Sequence, residues 1–222
     1  MRRIFLDTET TGLPAEAGHR IIEIGAVEMH DRELTGNYYH QYINPEREVD
    51  EGAFGVHGIG DAFLLDKPVM AQIADEFLDF VEGAELIIHN APFDVGFLNH
   101  ELRLLGRDQT IETLCEVTDT LAMARKKYPG ARASLDALVK RYGITQFNRD
   151  LHGALLDAEI LAQVYLMMTG GQSGLGLSFD RQDKAQSSNA EGQHLESISI
   201  HPVPVDASEL ALHQQWFEQH QS

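Results

Sequence analysis

Cysteine is almost missing from this chain: Cys115 is the single one among 222 residues. An intramolecular disulfide cannot form and a cysteine-rich zinc site is excluded, which fits a reducing, cytoplasmic setting. Long apolar runs are missing too. No stretch approaches the roughly 20 apolar residues of a membrane span. The run Ile4-Phe5-Leu6 that follows Met1-Arg2-Arg3 ends at Asp7, far short of a signal peptide's hydrophobic region. The expectation is a soluble protein that stays where it is made and has no membrane partner. Positive charge is scarce: 17 Lys and Arg stand against 35 Asp and Glu, for a formal net charge of -18. Such a balance argues against holding a polyanion on a broad basic surface. If the substrate is a polyanion, bound divalent cations at the reaction centre or a basic partner must supply the positive charge.

What is present is the composition of an ordinary folded protein, with 43% hydrophobic and 23% charged residues. The length suits one substantial domain with an appendage. Apolar runs and helical patterns alternate up to Gly170-Gly171, after which Ser, Gln, Gly, Asn and Asp take over. We therefore divide the chain into a main domain at residues 1–171, a linker at 172–194 and a tail at 195–222. The tail carries Ile198-Ser199-Ile200, Val203-Pro204-Val205, Glu209-Leu210-Ala211-Leu212 and Trp216-Phe217. It is too small to bury its own apolar face, so it either docks on a partner or folds back on the main domain.

Within the main domain, Ile4 to Asp7, Ile21 to Val27 and Tyr38 to Ile43 read as strands joined by short connections, which predicts antiparallel hairpins. A helical pattern runs through Val69, Ile73, Phe77, Leu78 and Val81. A strand follows at Leu86-Ile87-Ile88, then a helix from about Pro92 to Leu105. Further helices are predicted near Val117 to Arg125, Ser134 to Tyr142 and Leu155 to Met168. The fold class is α/β, a mixed sheet flanked by helices.

Three segments carry candidate chemistry. In Asp7-Thr8-Glu9-Thr10-Thr11-Gly12 the strand period of two puts Asp7 and Glu9 on one face. Adjacent like charges are costly to bury unless a cation neutralises them, and a hard divalent ion suits them. A solvated edge or turn would explain such a pair equally well. In His89-Asn90-Ala91-Pro92-Phe93-Asp94 a strand feeds a helix and Asp94 falls in its first turn, where a carboxylate also complements the helix dipole. In His152-Gly153-Ala154-Leu155-Leu156-Asp157 the His and Asp lie five positions apart, roughly 140° on a regular helix. Both reach one centre only if His152 precedes the helix on a loop, which Gly153 permits.

Taken together, these three segments resemble the exonuclease motifs of the DEDDh family. Ile21-Ile22-Glu23-Ile24-Gly25-Ala26-Val27, Phe54-Gly55-Val56-His57-Gly58-Ile59 and Ser134-Leu135-Asp136-Ala137-Leu138 are similar to the proofreading, or epsilon, branch of that family in bacterial DNA polymerase III. The resemblance runs from about Ile4 to Gly171. It implies an RNase H-like fold and two divalent ions, Mg²⁺ or Mn²⁺, held by Asp7, Glu9, Asp94 and Asp157. His152 is implied as general base in a 3′→5′ removal of nucleotides as 5′-monophosphates. It further implies that Val56, His57 and Phe93 join Asp7, Glu9 and Asp157 in holding the DNA 3′ end, although Phe93 reads equally well as core packing. The family usually has Pro-Glu before the Ala-Phe-Gly-Val-His run, where this chain has Glu51-Gly52, so that contact to the terminal sugar is in question.

Beyond the domain, Gln172-Ser173-Gly174-Leu175-Gly176-Leu177 resembles a sliding-clamp peptide, with ordinary linker as the alternative. The tail from about Leu195 to Phe217 is placed like the segment that binds the polymerase (alpha) subunit, and the resemblance allows a small accessory subunit. Two rivals remain. A DEDDh nuclease of RNA ends would share the motifs but lack linker and tail, and a scaffold subunit would have no need of four carboxylates and His152.

Overall fold

The computed structural model describes residues 1–145 and 152–170, so the linker, the clamp-like peptide and the tail lie outside the described residues. Three strands come first: β1 (Arg2–Thr10), β2 (Ile21–His30) and β3 (Glu33–Tyr42). They pair antiparallel in sequence order, as the short connections predict. The helices α1 (Glu51–His57), α2 (Asp61–Leu64) and α3 (Met70–Val81) then lead to β4 (Glu85–Ile88). β4 returns parallel to β1, which a long helical crossover makes possible. After α4 (Ala91–Leu104) and α5 (Ile111–Leu114), β5 (Glu116–Asp119) adds parallel to β4. The helices α6 (Thr120–Lys127), α7 (Leu135–Tyr142) and α8 (Ala154–Thr169) complete the domain. The sheet order is β3-β2-β1-β4-β5.

Alternation along β1 explains why both faces are covered. Ile4 and Leu6 pack with α3 and α4 through Ile73, Phe77, Val95 and Leu98. Phe5 packs with α7 and α8 through Leu138, Leu161 and Tyr165. Ile4, Phe5 and Leu6 are all fully buried, so this strand reads as a continuous apolar run rather than an alternating one. Each such side chain contributes about 1.5–3 kcal/mol relative to exposure.

Several short elements differ from the sequence expectation, α2 and α5 among them. The helix expected from Val117 begins only at Thr120, because Glu116–Asp119 pairs with β4 as an edge strand. Asp119 ends that strand and caps α6 by accepting the N–H of Leu121 at 2.9 Å. The helix α1 was not foreseen. Cys115 is buried, as a reduced cysteine that behaves as a small apolar residue. No helix among the described residues is long and apolar enough to cross a membrane.

Candidate active site

β1 outruns its parallel neighbour. β4 pairs with β1 only from Arg3 to Leu6, whereas β2 accompanies β1 to Thr10. Asp7 to Thr10 therefore project past the carboxyl end of β4, the place where open α/β sheets form ligand crevices. Asp7 and Glu9 share the face toward α8, and Thr8 takes the opposite face. The Thr8 hydroxyl donates to Asp94 Oδ1 at 2.7 Å.

Asp94 reaches this crevice because β4 feeds α4 directly. Asn90 adopts a left-handed conformation at the cap, with φ of 72°, and donates its N–H to Asp119 Oδ1 at 3.1 Å. Asp94 is only 2% exposed. Burial pushes its carboxyl up to about 7, against the hydrogen bond from Thr8, which pulls the other way. A positive charge placed beside it would lower that value.

The third segment places its residues as the angular argument requires. α8 begins at Ala154, with Gly153 at its N-cap, so His152 stands ahead of the helix and Asp157 lies in its first turn. His152 Nδ1 and Asp157 Oδ2 are 3.0 Å apart, with His152 41% and Asp157 3% exposed at the side chain. The His152 backbone N–H reaches the Val56 carbonyl at 3.3 Å, tying this loop to the end of α1. Gly25, the partner of Asp7 in the ladder, lets α8 approach: a Cβ there would stand 2.1 Å from the Leu155 nitrogen.

Ligand atoms of Glu9, His152 and Asp157 all lie within 4.8 Å of one another. That group of three does not include Asp7, which sits one strand period from Glu9, or Asp94, which is turned onto Thr8. The carboxylate oxygens of Glu9 and Asp157 suit a hard divalent cation, and the imidazole beside them suits proton transfer.

Beside the acidic group lies a cavity of about 410 Å³ whose lining includes Glu9, Leu13, Val56, His57 and Phe93. Phe93 packs on Phe97 with ring centroids 5.0 Å apart and also lines this cavity. The Ile59 N–H donates to His57 Nδ1 at 3.0 Å, which leaves the neutral ring's proton on Nε2. Burial, helped by nearby His152, holds the His57 pKa below its usual value; the Thr10 carbonyl and Glu23 act in the opposite direction. Gly52 also lines the cavity and brings no carboxylate there. Leu13, exposed at the rim, went unnoticed in the sequence, where Gly12-Leu13-Pro14 reads only as a turn.

Comparison with known proteins agrees with this geometry. Residues 4–165 match the exonuclease (RNase T) family. The chain is 53% identical to the DNA polymerase III subunit epsilon of Salmonella typhimurium strain LT2 over 220 residues, covering 96% of this chain and 90% of that relative. It is 52% identical to the subunit of the same name in Escherichia coli strain K12, with the same coverage. This chain belongs to the DNA polymerase III epsilon family of exonucleases. Among solved structures, it resembles exonuclease X in complex with 5′-overhanging duplex DNA, with a TM-score of 0.58, 27% identity, and coverage of 76% of this chain and 90% of the other. The nuclease domain of 3′hExo, a DEDDh member bound to rAMP, gives a TM-score of 0.65 at 19% identity, covering 75% and 90%. The fold is thus the RNase H-like exonuclease fold, and the enzyme is a metal-dependent 3′→5′ exonuclease.

Proposed function

We propose that this epsilon-family exonuclease proofreads for a replicative DNA polymerase in the cytoplasm, removing mismatched 3′-terminal nucleotides as 5′-monophosphates. The observation that carries the reading is the acidic group around Glu9, His152 and Asp157 set beside an apolar cavity. Asp7, Glu9, Asp94 and Asp157 are the ligands for two divalent ions, Mg²⁺ or Mn²⁺. When bound, these ions polarise the phosphodiester, acidify the attacking water and stabilise the departing 3′ oxygen.

The chain's own residues do the rest. Val56 and Phe93 flank the terminal nucleotide with His57 beside them in the cavity wall, which orients the phosphodiester over Glu9. Asp157 engages His152 at Nδ1, so the ring takes the water's proton at Nε2 as general base. His152 is also half-exposed and stands ahead of α8, with its N–H on the Val56 carbonyl, which sets it beside a substrate that docks against α1.

Partners account for the acidity of the chain. Residues 1–171 form the nuclease, 172–194 a linker with a clamp-binding peptide at Gln172 to Leu177, and 195–222 the tail that holds the polymerase (alpha) subunit. A small accessory subunit completes the assembly, which this chain joins as a monomer. These partners grip the duplex, and the nuclease receives a frayed end. The names of the sequence relatives support a polymerase partner.

The test uses purified full-length chain with Mg²⁺ and a 3′-labelled primer, paired or mismatched at its end, beside an Asp7→Ala control. Stepwise loss that is faster on the mismatch and absent in the control is the expected result. Digestion of short RNA without cleavage of DNA would replace this reading with an RNA-end nuclease, and no cleavage of either would leave a scaffold.

A further inference from the structure

Glu23 lies outside the three acidic segments, yet it is 2% exposed and stands directly across from Glu9 in the β1–β2 ladder. A carboxylate buried this deeply is costly unless both oxygens are engaged. Both are. Oε1 is 2.7 Å from His40 Nε2 on β3, and Oε2 accepts the Ala154 N–H at 3.2 Å. Ala154 opens α8, where backbone N–H groups lack partners within the helix and the helix dipole favours a negative charge. Tyr42 sits against the same group: its ring stands edge-on to His40 with centroids 4.9 Å apart.

The first turn of α8 fixes two residues of the site. His152 lies two positions before Ala154, and Asp157 three after. Gly25, one strand period from Glu23, clears space for the same turn. Strand β2 thus forms a seat in which one position grips the helix end and the next same-face position makes room for it.

We propose that Glu23 is a positioning residue for the nuclease reaction. Backed by His40, it holds the first turn of α8 through the Ala154 N–H, and so sets how far His152 and Asp157 stand from Glu9. The inference rests on the reading that His152 and Asp157 serve the reaction.

The experiment compares Glu23→Ala, Glu23→Gln and His40→Ala in the full chain, with His152→Ala as reference. Two quantities are read: kcat and KM on 3′-labelled single-stranded DNA with Mg²⁺, and backbone amide exchange in metal-free protein at Ala154 and, mid-helix, Leu161. Gln keeps an acceptor for the Ala154 N–H and turns its amide group to His40, so Glu23→Gln stays within a few-fold of wild type in both. Glu23→Ala lowers kcat by roughly 10- to 100-fold at nearly constant KM, as expected when reacting groups are misplaced. It also speeds exchange at Ala154 by about 10-fold or more, with Leu161 unchanged. His40→Ala falls between.

Wild-type kcat in Glu23→Ala, equal damage from Ala and Gln, or unchanged exchange at Ala154 overturns the proposal. If Glu23→Ala does not fold, His40→Ala decides, and wild-type values there in both readouts overturn it. A full rate in His152→Ala instead strikes the underlying reading, and the amide exchange still reports on Glu23 by itself.

Discussion

His152 Nδ1 and Asp157 Oδ2 lie 3.0 Å apart although five positions separate them in the chain. A regular helix would turn them roughly 140° away from each other. They meet because the helix begins between them, at Ala154. His152→Ala is therefore expected to lower kcat by about 10²- to 10⁴-fold, the range for loss of a general base. Mn²⁺ titration and Tm should stay close to wild type, since the side chain is 41% exposed. A wild-type rate would remove His152 from the mechanism.

Asp94 should trade stability for activity. Its carboxyl is pushed by burial from an ordinary 3.8 up to about 7. Between those values the folded, metal-free protein holds a proton that the unfolded chain has released. The unfolded state binds fewer protons, so stability falls as pH rises through this window. Asp94→Asn removes the ionisation and keeps an acceptor for Thr8. Thermal unfolding without metal should show the variant more stable than wild type at pH 8, on the order of 3–4 kcal/mol, with little difference at pH 4. Its nuclease activity with Mg²⁺ should be abolished.

Phe93→Ala separates binding from chemistry. Stacking on a base is worth about 1–3 kcal/mol, so KM for single-stranded DNA should rise by roughly 5- to 100-fold while kcat changes less. If kcat falls and KM holds, Phe93 serves the core of α4 rather than the nucleotide.

Gly25→Ala places a methyl group 2.1 Å from the Leu155 nitrogen, inside any tolerable contact. The backbone must yield, at about 1–3 kcal/mol for overpacking of this kind. Denaturant unfolding measures that loss. Because the displaced turn carries Asp157, kcat should fall along with stability, whereas Gly96→Ala, a helical position in α4 where nothing lies within 4 Å, gives a control with room for the added methyl group.

Sequence periodicity made the long elements legible. Val69 to Val81 repeats at helical spacing and forms α3, with its apolar stripe buried through Ile73, Phe77 and Val81. The off-helix position of His152 followed from angular geometry once His152 and Asp157 were taken to share one centre. Short elements were harder. β5 offers only Glu116–Asp119, of which none is fully buried, and no two-residue alternation emerges from it. α1 spans Glu51-Gly52-Ala53-Phe54-Gly55-Val56-His57, and two glycines in seven residues oppose a helix by about 1 kcal/mol each. Its end is set by Gly58, a left-handed C-cap whose N–H reaches the Phe54 carbonyl. Within the site, the motif residues announce themselves because their ionisable groups fall together in three short segments. Glu23 and Leu13 do not, because their roles depend on what β2 and the turn after β1 face once folded.

Gly25 sets a limit on how such a site is mapped. A scan that trims side chains to alanine reads a protein by subtraction, and it finds a residue only where something can be taken away. At Gly25 there is nothing to subtract, yet the approach of two backbones there decides where α8 can start. The contact answers only to addition, so a map of this nuclease made by removal alone would leave its seat for the catalytic helix blank.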